Sequence, residues 1–105
     1  DRLSTGLHAA NEEANKQVGL MLDYTFNAES DPNRFYYRSD HYNFARKGIP
    51  SIFYFSGVHE DYHQPGDDVE KIRFDLLRTR ALLVFHTAWL LANGEERIVV
   101  DKPMK

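Results

Sequence analysis

Residues 59–67 read HEDYHQPGD, which sets imidazoles, carboxylates and a phenol side by side. His59, Asp61 and His63 recur at i, i+2 and i+4, so in an extended segment all three would point the same way. Imidazole and carboxylate are ordinary zinc ligands, and two His with one Asp would leave a coordination position open for water. The alternative is a solvated polar loop. Tyr62 beside His63 suggests a second arrangement: the imidazole holds a metal while the phenol donates to an oxyanion forming on a polarised carbonyl. More simply, Tyr62 is an aromatic lid over the end of a packed layer. Asp67 or Asp68, just ahead of Glu70, could cap a helical turn.

A second pair, Asp40-His41, raises the same kind of question. Asp40 could orient an imidazole or meet a substrate amine. The simpler reading is an acid at a helix start beside a surface His. His8 and His86 fall mid-helix and read as packing or surface residues. Glu12 and Glu13 read as a solvated face, Glu12 reaching Lys16 at i, i+4. There is no glycine-rich phosphate loop and no G-x-S-x-G elbow.

The elements that must position these groups follow from periodicity. Ser4 or Thr5 caps a first helix carrying Leu7, Ala10, Ala14 and Val18 at helical spacing, and Gly19 ends it. Residues 20–26 read as a strand. Ser39 caps a short helix through Lys47, stopped by Gly48. Residues 49–55 read as a second strand, apolar enough to be covered on both faces, with Pro50 acceptable only at its start. Residues 74–92 predict a helix apolar on nearly every side, hence buried, closed by Asn93-Gly94. Ile98-Val99-Val100 suggests a short edge strand. Strands alternating with helices imply α/β architecture with a mostly parallel sheet, and HEDYHQPGD then leaves the C-terminal end of the second strand, where such sheets place their sites.

Length and composition bound this reading. The chain has 105 residues, enough for one modest core, and its hydrophobic content of 42% with 28% charged residues is that of a globular protein. It carries seven Phe, six Tyr and one Trp, many of them between residues 35 and 62. A formal charge of −3 gives no reason to expect nucleic acid or an anionic membrane as partner. The absence of cysteine excludes disulfides and thiolate metal sites. No apolar run approaches the roughly 20 residues that span a bilayer, and no signal peptide is expected within these residues. Because it opens at Asp1 without Met, the chain is expected to be a processed or truncated product.

Three motifs in order carry a resemblance: Ser39-Asp40-His41-Tyr42-Asn43-Phe44, then Gly48-Ile49-Pro50, then the run from Gly57 to Asp67 holding Tyr62-His63-Gln64-Pro65-Gly66-Asp67. Together they resemble the C-terminal part of the di-zinc aminopeptidases of metallopeptidase family 28, over most of the chain. The resemblance implies a three-layer α/β/α sandwich, residues 1–105 being the C-terminal portion of its catalytic domain, and a secreted, periplasmic or cell-envelope location. It implies peptide substrates losing N-terminal residues at two zinc ions, with His63 as the last zinc ligand and Tyr62 as the phenol that steadies the tetrahedral intermediate. Asp40 and His41 would lie near the substrate pocket, and Asp67 would support the His63 loop. His59 and Asp61 would be loop or pocket residues, or a local metal site.

The family's other zinc ligands and its general-base Glu lie upstream of the matched motifs, so the chain is expected to hold at most a partial site and to be inactive alone. Glu12-Glu13 is not that catalytic pair, because it lies downstream of where the pair belongs. Arg73 stands where an Asp often precedes the last helix, which leaves that helix without an obvious cap. Two other readings stay open: a non-catalytic folding or interaction module that associates with itself or with the missing N-terminal part, and a glutaminyl-cyclase-like relative.

Overall fold

Ser4 opens the first helix by the means its hydroxyl suggests. In the computed structural model of the chain, which describes residues 2–103, Ser4 is extended and its Oγ accepts from the Leu7 amide at 3.1 Å. That bond takes up one of the donors every helix start leaves free. Helix α1 spans Thr5–Asn15 and buries Leu7, Asn11 and Ala14, one face at helical spacing. Gly19 ends the run at φ +80°, its amide donating to the Asn15 carbonyl at 2.7 Å. Helix α2, His41–Ala45, stops the same way. Gly48 at φ +76° donates to the Ala45 carbonyl and Ile49 to that of Phe44, the bond pair of a Schellman ending.

Between these helices lies an aromatic cluster organised by a cation. Arg2, 9% exposed, donates through Nε and Nη2 to the carbonyls of Asn27 and Ala28 and through Nη1 to the Tyr37 hydroxyl, each at 3.1 Å. Its guanidinium also lies 4.1 Å from the centroid of the Tyr36 ring, so desolvation is offset by both hydrogen bonds and the ring face. Leu3, Tyr36 and Ala45 are buried around it, with Tyr37 and Tyr42 packed alongside.

Helix α3, Phe74–Asn93, packs on α1 through Leu83 and Thr87. The Thr87 hydroxyl meets Asn11 Oδ1 at 3.2 Å and the Leu83 carbonyl at 2.9 Å. The expectation of a helix buried all round is wrong: Phe74, Leu77, Phe85 and Trp89 are all more than half exposed. Arg73 does not cap the helix with its side chain but grips Asp75 through two bonds, at 3.2 and 3.0 Å.

The expected three-layer α/β/α sandwich with its parallel sheet is overturned, because there is no strand among the described residues. A strand exists by virtue of its ladder. No backbone-to-backbone hydrogen bond leaves Met21–Asp23 or Pro50–Val58 among the described residues. Side chains hold the second segment instead. Phe53 and Phe55 stack on one another at 5.0 Å, and Phe55 meets Phe26 and Phe35. Tyr54, between them, donates to Asn11 Oδ1 at 2.6 Å. The apolar run that reads as a strand covered on both faces is thus covered by side chains around a lone segment. Residues 98–100 form no edge strand either, and the amides of Asp101 and Lys102 donate to the Leu3 carbonyl at 3.0 and 3.1 Å.

The molecule is open for its mass. It exposes 7908 Å², against about 6,100 Å² for a compact monomer of this size. Its radius of gyration is 14.9 Å, against about 13 Å.

Candidate functional site

The HEDYHQPGD loop is a succession of tight turns rather than an extended segment. The Tyr62 amide donates to the His59 carbonyl at 3.0 Å, Gln64 to Asp61 at 2.9 Å and Asp67 to Gln64 at 3.1 Å. His63 sits in the left-handed region at φ 56°, a conformation few side chains adopt without a reason. There its ring lies flat on that of Tyr62, centroids 4.0 Å apart and planes 18° apart. Phenol and imidazole therefore stand next to one another, Tyr62 half-buried and His63 exposed.

The same turns remove the condition for a local three-ligand site. His59 Nδ1 accepts from the Asp61 amide at 3.2 Å. The Asp61 carboxylate is engaged by Lys71 Nζ at 3.0 Å, and a Cβ on Gly66 would lie 2.8 Å from it. Position 66 therefore suits glycine: the carboxylate fills the space a side chain needs. No group of three or more His, Asp or Glu able to hold a metal occurs among the described residues. Asp67 is exposed and belongs to the loop through its backbone amide.

Asp40 and His41 occupy the start of α2, with Asp40 at the N-cap making no side-chain cap bond. Asp40 is exposed and does not orient His41. Instead the His41 ring stacks on Phe53, centroids 4.5 Å apart and planes 10° apart, and meets the edge of Tyr36 at 5.1 Å. Both His41 ring nitrogens and the Tyr36 hydroxyl are buried with no hydrogen-bond partner among the described residues. Burial pushes the His41 imidazole below its ordinary value and the Tyr36 phenol above its own, since each loses solvation of its charged form. Among the described residues no hydrogen bond, ion pair or ring contact joins Asp40 or His41 to Tyr62 or His63.

Sequence reasoning missed three polar residues that carry the architecture. Asn11 joins α1, Tyr54 and α3 through one carbonyl oxygen. Arg2 had no periodic signal to reveal it. Glu12 serves the Tyr24 hydroxyl rather than Lys16, and Lys16 pairs with Glu13 at 2.7 Å. Burial, then the Glu12 bond, pushes the Tyr24 phenol up to about 12.

The model of peptidase family M28 matches residues 2–88, a span that contains both Asp40-His41 and Tyr62-His63. The chain belongs to peptidase family M28. No curated protein matches it, and no solved structure does. The M28 match stops within α3, short of Trp89, so it covers every residue singled out for chemistry. No helix among the described residues is long and apolar enough to cross a membrane.

Proposed function

We propose that this M28 chain is the C-terminal portion of the catalytic domain of a secreted or cell-envelope zinc aminopeptidase, and that it is inactive alone. The observation carrying the reading is the stacked Tyr62–His63 pair inside the family match. Such a pair puts a phenol and an imidazole side by side. The Tyr62 hydroxyl would donate to the oxyanion that develops as a peptide bond next to a free N-terminus is attacked. Asp40, exposed at the start of α2, supplies negative charge for a substrate amine.

The residues present do not fit a zinc site. Zinc takes three or four protein ligands, and the exposed His63 is one, with Asp61 already committed to Lys71. Lewis-acid activation of water and carbonyl therefore belongs to ligands beyond those described, and His63 would complete their set rather than found it.

Two measurements test this. Incubated with zinc and an aminoacyl p-nitroanilide, the chain should give no turnover above that of His63→Ala; zinc-dependent turnover abolished by that substitution would disprove inactivity. The coding sequence of the parent protein should specify the family's other zinc ligands and its general-base Glu ahead of this segment. A parent lacking them would be a scaffold relative, not an aminopeptidase.

A further inference from the structure

Among the described residues two besides glycine have a positive φ, Arg34 at 53° and His63 at 56°. A left-handed side chain persists only where its surroundings hold it there. One carboxylate holds Arg34 from both sides: Asp31 accepts from the Asn33 amide at 3.0 Å and from the Phe35 amide at 3.2 Å. His63 also follows an aspartate closely, but the Asp61 carboxylate is bonded to Lys71 Nζ at 3.0 Å, ten positions on.

Asp61 is the joint of this loop. Its amide donates to His59 Nδ1 at 3.2 Å, and its carbonyl accepts at 2.9 Å from the amide of Gln64, the residue after His63. Its carboxylate does not swing out into water. Only 21% of the Asp61 side chain is exposed, and the carboxylate lies against Gly66, where a Cβ would be 2.8 Å from it and 3.5 Å from Lys71 Nζ. Lys71 is itself set by a single 3-10 turn, Val69–Lys71, its amide donating to the Asp68 carbonyl at 3.0 Å. The pair thus closes residues 61–71 into a small loop that carries Tyr62 and His63. Fully exposed ion pairs contribute little, but this one is half-shielded and spans a loop short enough to close cheaply.

We propose that Lys71, acting through Asp61, is a positioning residue for the Tyr62–His63 pair: it keeps His63 left-handed and its imidazole flat on the Tyr62 ring. The bearing of this on catalysis rests on the aminopeptidase reading, in which His63 completes a zinc site and Tyr62 donates to the oxyanion.

Nuclear magnetic resonance of the chain itself reads the geometry. A positive φ brings an amide proton close to its own Hα, so His63 should give a strong cross-peak between the two. The stacked Tyr62 ring should shift the His63 ring protons upfield. Lys71→Met keeps the stem and removes the charge; Asp61→Asn keeps the shape and removes the charge. Each should weaken the cross-peak and lose most of the upfield shift, and the double variant should lose no more than either alone. Lys71→Arg should retain both signals. Helical circular dichroism and the urea midpoint should stay unchanged throughout, which separates positioning from general stability. An unaltered chain without the cross-peak would overturn the proposal. So would a Lys71→Met chain that keeps both signals, or a Lys71→Arg chain that loses them as fully as Lys71→Met. If one of the charge-removing variants is poorly folded, the other decides. No reading involves zinc or turnover, so the positioning role and the aminopeptidase reading fail separately.

Discussion

The two long helices invert the usual relation between apolar content and burial. α1 is short and mixed, yet it buries Leu7, Asn11 and Ala14. α3 has 20 residues, far more of them apolar, and buries only Leu83 and Thr87. The difference lies in fastenings. α1 is capped at Ser4, tied at Asn15 to Leu20 and pinned at Asn11 to two other segments. α3 is linked to α1 through the Thr87 hydroxyl on Asn11. Apolar surface is attracted to any cover without direction, whereas a buried hydrogen bond specifies which neighbour provides it.

The contrast can be broken or sharpened by substitution. The largest expected effect is Leu83→Ala, which empties a site on the one buried stripe of α3 and should cost about 3 kcal/mol in urea denaturation. A loss near that for the exposed Phe85 would erase the distinction. Asn11→Ala should cost about 2 kcal/mol, because it strips a shared acceptor from Tyr54 and Thr87; it should also lower protection across α3, not α1 alone. Phe85→Ser should change stability by roughly 0.5 kcal/mol or less in dilute solution, as exposed substitutions do.

The smallest effect concerns pH. His41 is held neutral by burial, so its folded value lies below its ordinary 6.5. The unfolded chain then binds the proton more readily, and stability rises with pH across that window. The contribution is complete above about pH 6.5 and is lost as pH falls through the depressed folded value. Urea midpoints between pH 8 and 5 should show this slope, and His41→Phe, which keeps a ring on Phe53, should flatten it.

What the sequence disclosed was local. The Ser4 cap, the Gly19 and Gly48 endings and the extent of α3 depend on residues within a turn of one another, and all were legible. The ordered motifs around Asp40 and Tyr62 were legible too, and they led to the M28 family. The strands were misread because an apolar run reports that a segment is covered, not whether its backbone finds a neighbour. Phe53, Tyr54 and Phe55 are covered by rings and by Asn11 with no ladder among the described residues. The HEDYHQPGD geometry was misread for a related reason: spacing of i, i+2, i+4 places ligands together only in extended chain, and this segment turns. Arg2 and Asn11 left no trace in the pattern, since a buried polar residue is justified by partners distant in sequence.

One such distant partner bears on how the protein is made. Asp101 accepts from the Thr5 amide at 2.9 Å and from its hydroxyl, across 96 positions of chain. The Ser4 hydroxyl can act as soon as Leu7 exists, but the second anchor of that helix start arrives only after the chain has grown a further 96 positions. Closing so wide a loop is entropically slow. On the ribosome, α1 therefore waits half-fastened, and growth of the chain to Asp101 sets when this helix start becomes secure.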